Sequence, residues 1–363
     1  MRGSARLGAS TAILVAALLS LAYLLGMRIL PSATSPVLRA EMIEAADLMA
    51  RAENAIQGCR EGRGLPIDPS ADPNGTGLIG VERSAITTSA GRLEAKRTTT
   101  NPAFAGLVVS LLREAGVRRG DVIAVGASSS FPALIVAALA ASRAVGAEPL
   151  VISSLGASEW GANMPEFPWP AMEDCLRKAG ILAAVPIARS VGGEDDNGQG
   201  MDPAGRSFLA SAIRAGGDIP FLEEPDLERN VARRLALYRE KAGRRPIKAF
   251  VNIGGGWADM GTDPEVLKLA PGLARRVAVP PPSRRGVIQA MAAAGVPIIH
   301  LLNVRGLCER YGLPWDPQPL PRPGEGPLYR SPAASRGGDL LSAVYAALVL
   351  AVLVLGRRRL RAA

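Results

Sequence analysis

The sequence predicts an α/β fold in which a mostly parallel sheet is flanked by helices, as in a Rossmann-like domain. First, short apolar runs rich in β-branched residues recur, for example at 121–125 and 247–253, and such runs are typical of buried strands. Second, helical patterns separate these runs, an order that favours parallel strands joined by crossovers. Third, 363 residues, 48% of them apolar, suffice for a sizeable core.

The clearest unit lies between Asp121 and Ser153. The run 121–125 is bounded by glycines, and three serines then precede a long apolar helical stretch that ends at Gly146. We expect Ser130 to cap this helix and Pro132 to occupy its first turn. Residues 148–153 return as a second buried strand. Because ligands gather outside the carboxyl ends of parallel strands, the turns that follow these two strands are the first candidates for a site.

The remaining elements follow from the same patterns. Helices are predicted over 35–57, 101–116, 170–178, 204–215, 226–242 and 284–294. Further strands are predicted over 181–187, 247–253 and 297–303, with one or two short strands within 78–88. Two segments rich in turn-forming residues, 58–77 and 192–200, are expected to be loops.

Uncharged apolar segments near both ends predict one transmembrane helix at each end of the chain. Arginines precede the first segment and follow the second, so the positive-inside rule places both termini in the cytoplasm and the middle of the chain outside. The expected order is a cytoplasmic start at 1–10, a signal anchor at 11–30, an extracytoplasmic domain at 31–310, a Pro-rich spacer at 311–339, a second membrane helix at 340–356 and a basic tail at 357–363. A cleaved signal peptide is the alternative for the first segment.

The net charge of +9 does not indicate a nucleic-acid partner. Without Asp339 and the seven arginines that flank the two apolar segments, about +3 remains for the rest of the chain. Cys59, Cys175 and Cys308 are compatible with one disulfide and one free thiol, or with three buried thiols. There is no zinc pattern and only one histidine, so no metal site and no cofactor are predicted.

The turn after the first strand of the central unit, Gly126 to Ser130, resembles a nucleophile elbow, with Ser128 as the nucleophile. It departs from that motif because Ser130 stands where a second glycine is needed for steric room. The general base would have to be His300, with Asp259 or Asp263 behind it. Two other interpretations stay open: a site where amides and hydroxyls bind an anion at a helix N-terminus, and a capped turn without function.

Two further turns are candidates. Gly254, Gly255 and Gly256 end a predicted strand and allow close backbone approach to a ligand, or form a tight turn. Ser158 and Glu159 follow the second strand, and Glu159 is a candidate general acid or base or a capped surface residue. His300, among apolar neighbours, is more typical of a core histidine than of a catalyst.

Several blocks of the chain resemble the poly-gamma-glutamate system protein family. They are GASSSFPALIVAALAA, ISSLGASEWGAN followed by PWPAMED, and FVNIGGGWADMG with IIHLLNV. The resemblance covers roughly residues 10 to 320. It implies a role beside the synthetase and membrane subunits that make and export poly-gamma-glutamate, and it carries over no catalytic residues.

The sequence therefore predicts an accessory component of poly-gamma-glutamate synthesis or export, held in the inner membrane with its main domain outside. It would bind the anionic glutamyl polymer or partner subunits. The predicted ligand-binding residues are Ser128, Ser129, Ser130, Ser158, Gly254, Gly255 and Gly256. The alternative is a hydrolase or transferase that acts on the polymer through Ser128 or Glu159.

Overall fold

A computed structural model describes residues 9–29, 36–182, 185–329 and 342–352. Its helices are α1 (Ala9–Ile29), α2 (Pro36–Gly62), α3 (Leu93–Thr99), α4 (Ala103–Glu114), α5 (Pro132–Val145), α6 (Trp169–Lys178), α7 (Pro203–Ala215), α8 (Leu227–Ala242), α9 (Trp257–Met260), α10 (Val287–Ala293) and α11 (Val304–Tyr311). Its strands are β1 (Val122–Ser128), β2 (Glu148–Ser154), β3 (Ala188–Ser190), β4 (Phe221–Leu222), β5 (Ile247–Ile253), β6 (Gly272–Ala274) and β7 (Ile298–Leu301). Residues 342–352 are also helical.

The strands form one sheet in the order β4-β3-β2-β1-β5-β7-β6. All neighbours are parallel except β6, which runs antiparallel to β7. The predicted α/β fold with a mostly parallel sheet is therefore confirmed. From β1 the chain continues outward on one side through β2, β3 and β4, and then returns to the other side of β1 as β5. The crevice between β1 and β5 is thus a topological switch point, where sheets of this kind bind ligands.

Helices cover both faces of the sheet and so exclude water from it. On one face, Tyr238 of α8 and Ile288 of α10 pack with alternate residues of the central strands, among them Phe250. On the other, α5 contacts β1, β2 and β5, and α4 packs against α5. With both faces covered, β1 and the inner part of β5 are buried throughout, which explains why they read as continuous apolar runs.

The structure corrects several boundaries. The strand predicted at 181–187 is wrong: the strand here is Ala188–Ser190, and residues 183 and 184 lie outside the described part. The helix predicted at 284–294 starts later, at Val287, after a 3₁₀ turn that the Pro280-Pro281-Pro282 sequence brings about. The last strand ends at Leu301, because Asn303 caps the helix that follows.

The Pro-rich stretch that was expected to be a spacer packs on the α/β unit through Leu328. Asp316 accepts hydrogen bonds from the guanidinium of Arg97, one of them with an Nε–Oδ1 distance of 2.8 Å. Asn74 Nδ2 donates to the Pro317 carbonyl over 3.0 Å, and Leu313 is buried. These contacts hold the segment against the domain, whereas a composition rich in proline predicts only an extended chain.

A disulfide joins Cys59 at the end of α2 to Cys175 in α6, and Cys308 is a buried free thiol. The sequence left this pairing open. Disulfides form and persist mainly in oxidising compartments.

Of the described residues, 9–29 and 342–352 belong to a separate compact unit. In it, α1 contacts the helical residues 342–352: the hydroxyls of Ser20 and Tyr345 are 2.8 Å apart, as are those of Tyr23 and Ser342. The rings of Tyr23 and Tyr345 stack at 4.5 Å. This pairing makes the two helices antiparallel. Several of their apolar side chains are exposed, namely Ile13, Leu14, Leu18, Leu21, Leu24, Leu25, Val344, Leu348 and Leu350.

Among the described residues, the structure has no helix that is both long and apolar enough to cross a membrane. The transmembrane helices predicted at 11–30 and 340–356 are therefore not supported by it. Residues 30, 340, 341 and 353–356 of those segments lie outside the described part.

Candidate functional site

A cavity of about 1180 Å³ opens at the carboxyl ends of the central strands, over the switch point between β1 and β5. The register of the sheet explains how it is assembled. Ser128 at the end of β1 lies beside Ser154 of β2, and Ala127 lies beside Ile253 of β5. The turns that follow these three strands therefore share one rim. The lining also includes α3 and the loop before it, the 192–200 loop, parts of residues 257–267 and the start of α11.

The cavity brings together most of the predicted ligand-binding residues. Those that line it are Ser128, Ser130, Ser158, Gly255 and Gly256. The other two lie behind the rim: Ser129 is fully buried and its Oγ donates to the Ser154 carbonyl over 2.8 Å, while Gly254, at φ +77°, packs against Ser128. The geometric grouping is thus present, and the binding roles stay predictions.

The turn after β1 has a different local structure from the one expected. The residue that caps α5 is Phe131, without a side-chain hydrogen bond, so the prediction that Ser130 caps the helix is wrong; Pro132 does occupy the first turn. Ser130 Oγ instead accepts from the backbone N–H of Ser158 over 2.9 Å. Ser128 Oγ accepts from the Ser130 amide over 3.3 Å. The hydrogen bond between Ser130 and Ser158 therefore joins the turn after β1 to the turn after β2.

Lys96 of α3 is the main feature of the site that the sequence did not reveal. Its ammonium group donates to the Ser130 carbonyl and lies 2.8 Å from Ser158 Oγ. It also sits 3.7 Å from the centre of the Phe131 ring, in a cation–π contact. Lys96 is only 3% exposed, yet it lines the cavity. Burial lowers its pKa to about 7, and no neighbouring carboxylate counters this effect.

The charged groups that also line the cavity are Arg92, Glu194, Asp263 and Arg305. Arg305 stacks over the Trp315 ring, 4.1 Å from its centre, which places its charge at the cavity mouth. Asp263 already has a partner, because Arg284 lies 3.2 Å from it. Together with Lys96, the cavity therefore carries three basic groups and a single acid without such a partner, Glu194. This balance suits an anionic ligand.

Backbone donors add to this character at the end of β5. The N–H groups of Gly255 and Gly256 have no acceptor within the described part of the chain. An added Cβ at Gly255 would meet only Leu302 Cδ1, at 3.8 Å, so the backbone there faces open space. Free amides of this kind bind carboxylate or carbonyl oxygens.

Glu159, a candidate acid or base, is committed to the loops. Its carboxylate accepts from the Gly91 N–H over 3.0 Å and from Arg83 Nε over 3.3 Å. The Gly91 hydrogen bond is the main cause that holds its pKa below the usual range, and Arg83 adds to it. The side chain of Glu159 is not part of the cavity lining. Because the ionised carboxylate accepts these two hydrogen bonds, Glu159 fixes the position of the neighbouring Ser158.

His300 lies inside β7, away from the cavity lining. Its Nδ1 is 3.1 Å from Asn252 Nδ2, and burial lowers its pKa to about 4. It is therefore neutral at ordinary pH. Asp259, one of the acids considered behind it, faces Arg234 and Gly126 instead, and Asp263 pairs with Arg284. This set of contacts is that of a core histidine.

A buried ionic network underlies the rim. Arg234 of α8 is fully buried and lies 2.6 Å from Asp196, which the 192–200 loop contributes. Its Nη2 also donates to Ser190 Oγ over 3.0 Å. Asp259 is 3.8 Å from the same guanidinium, and burial raises its pKa to about 6 although Arg234 acts against this. The network thus ties the loop after β3 to the turn after β5.

Comparison with known proteins finds no family model that matches the chain, and no curated protein or solved structure with significant similarity to it. The resemblance to the poly-gamma-glutamate system proteins is thus a hypothesis that rests on the sequence blocks.

Proposed function

We propose that this protein binds carboxylate groups of an anionic glutamyl polymer in the cavity at the switch point, as an accessory component of poly-gamma-glutamate synthesis or export. The observation that carries the proposal is Lys96: a buried lysine that lines a cavity and has no carboxylate partner. A buried charge is stable only when it is paired or neutralised. A ligand carboxylate would supply the missing partner.

The surroundings of Lys96 support a chain-like ligand with several carboxylates. Arg92 and Arg305 add exposed positive charge at the edge of the same cavity. The unpaired amides of Gly255 and Gly256 add donors for a second oxygen group. The sequence blocks that resemble the poly-gamma-glutamate system proteins point to the same class of ligand.

The proposal includes an extracytoplasmic main domain tethered to the inner membrane, next to the synthetase and membrane subunits. The Cys59–Cys175 disulfide supports an oxidising compartment. Membrane attachment rests on the arginine-flanked apolar segments and on the exposed apolar side chains of the terminal helices. Outside the cytoplasm no ATP pool is present, so the ligation of glutamate belongs to a partner.

The test is the affinity of the full chain, in detergent, for purified poly-gamma-glutamate. Lys96→Met should weaken binding by about tenfold or more, because a hydrogen bond to a charged group contributes about 1.5–3 kcal/mol. Gly255→Val should also weaken it, since the new side chain fills the cavity where only Leu302 is near. Rising salt should weaken binding by screening the exposed arginines.

Matched controls are available elsewhere in the domain. Lys248 is an exposed lysine of β5, and Gly62 is an exposed glycine with no atom near an added Cβ. Lys248→Met and Gly62→Val should therefore leave binding unchanged. Unaltered affinity in Lys96→Met, with a normal melting temperature, would reject Lys96 as the carboxylate partner.

A further inference from the structure

We propose that Ser158 and Lys96 form a nucleophile and general base that cleave or transfer amide-linked acyl groups in this cavity. The choice of a γ-glutamyl amide as substrate rests on the proposed function; the catalytic pair itself does not. The sequence indicated Ser128 as the candidate nucleophile. In the structure the lysine contacts Ser158 instead.

The geometry meets the first requirement of such a pair, which is a direct contact between the two reacting groups. Lys96 Nζ lies 2.8 Å from Ser158 Oγ, within the range for proton transfer. Both partners are held in place. The Ser158 N–H donates to Ser130 Oγ over 2.9 Å, and the Ser130 carbonyl and the Phe131 ring hold the lysine.

Access is the second requirement. Ser158 is only 6% exposed but lines the cavity, so a substrate reaches it from the cavity and bulk water does not surround it. Gly91 helps to keep the approach open, because a Cβ there would come within 3.3 Å of Ser158 Oγ. The free amides of Gly255 and Gly256 line the same cavity and are available to anionic oxygens.

Protonation is the third requirement, since a lysine acts as a base only when neutral. Burial lowers the pKa of Lys96 to about 7, so a large fraction is neutral at physiological pH while no ligand carboxylate lies beside it. A carboxylate bound at Lys96 would hold it protonated, so the reaction requires the substrate amide, and not a carboxylate, next to this lysine. The charged groups that face the cavity from the other elements are Arg92, Glu194, Asp263 and Arg305. None of these groups contributes to the lowered pKa of Lys96, which burial causes.

The reaction balances without a cofactor. Ser158 Oγ attacks the amide carbonyl carbon while its proton moves to Lys96 Nζ. The C–N bond then breaks as Lys96 returns that proton to the leaving nitrogen, which leaves an ester on Ser158. Water, or the amino group of an acceptor chain, attacks the ester; Lys96 takes its proton and passes it to Ser158 Oγ. Water gives hydrolysis and an amine gives transfer.

The experiment uses the full chain with an alkyl fluorophosphonate probe and, in parallel, with poly-gamma-glutamate, from which released amino groups are counted. The probe should add to Ser158, as located by peptide mass spectrometry, at a rate that rises with pH through about 7. Ser158→Ala should lose the adduct and the amine release. Lys96→Arg keeps the charge but cannot act as a base, so both rates should fall about a hundredfold or more.

Exposed residues provide the controls: Ser207→Ala on α7 and Lys248→Arg on β5 should react like the wild type. Lys96→Met serves as a second variant if the larger arginine disturbs the fold, and melting temperatures are measured for all. No adduct on the wild type, an adduct at another serine, or a wild-type rate in folded Lys96→Arg or Lys96→Met would overturn the catalytic pair.

The two proposals fail separately. Ser158→Ala leaves Lys96 in place, so it should still bind the polymer although it no longer reacts. Polymer binding without any probe adduct would reject the catalytic pair and leave the binding function. An adduct at Ser158 without polymer binding would leave the pair and reject the glutamyl polymer as its substrate.

Discussion

Burial in the sheet determines the ionisation state of some individual side chains in this protein. His300 shows this most directly: its pKa of about 4 lies below the ordinary 6.5 because burial penalises its charged form. Between pH 6.5 and 4 the unfolded chain therefore binds a proton that the folded chain does not. Acid therefore favours the unfolded chain, and the free energy of unfolding falls as the pH drops from 6.5 to 4.

We predict that His300→Gln flattens this loss. One pKa unit corresponds to about 1.4 kcal/mol, so the wild type should lose up to about 3 kcal/mol more than the variant between pH 6.5 and 4. Asp259 acts in the opposite direction, because its raised pKa of about 6 favours the folded state in acid. The difference between wild type and variant in urea unfolding at each pH removes that contribution. Equal pH dependence in both proteins would contradict a neutral, buried His300.

At the scale of elements, the disulfide joins the long first helix of the domain to α6 across 116 positions of sequence. Closing so long a loop restricts the unfolded chain more than the folded one. We predict that Cys59→Ala with Cys175→Ala lowers the free energy of unfolding by about 2–5 kcal/mol, and that a reductant lowers it similarly in the wild type. Urea unfolding measures both effects.

The buried free thiol provides the control for this experiment. Cys308→Ala removes a buried cysteine that forms no cross-link, so it should retain the sensitivity of the wild type to reductant. A double variant as stable as the wild type would show that the cross-link contributes nothing to folding.

How well the elements could be predicted depended on their length and burial. β1, β2 and β5 run through the sheet interior, so each contains a buried run that is mainly apolar, and this run was recognised. β3, β4 and β6 have two or three residues each, and no periodic pattern exists at that length. α3 was missed because LEAKRTT carries no apolar stripe.

The candidate site was predictable only in part for a related reason. Parallel strands have their carboxyl ends on one side, so the three turns could be placed together from their order alone. Lys96 contacts Ser130 and Ser158, which lie 34 and 62 positions away, and no spacing rule links such residues. The burial that lowers the pKa of Lys96 comes from the tertiary structure. In the sequence, Lys96 looks like any lysine of a polar helix, so nothing there indicated a special role.

At the scale of the whole molecule, the excess positive charge is concentrated near the two ends of the sequence. Seven arginines flank the terminal apolar segments, while the rest of the chain carries only about +3. α1 and residues 342–352 run antiparallel, so the start of α1 lies near the end of the second helix. The proposed function requires the cavity to lie outside the cytoplasm.

We therefore predict that a reporter active only in the cytoplasm is active when fused after Ala363 and silent when inserted after Gly217. Gly217 suits the insertion because it lies in an exposed turn between α7 and β4 with no atom near an added Cβ. Insertion within 192–200 would instead disturb Asp196, the partner of buried Arg234. A reporter active only after export should give the reverse pattern at both positions. Cytoplasmic activity at Gly217 would place the domain in the cytoplasm, where ATP is present and disulfides are rare. That result would contradict the proposed role of this protein in polymer export.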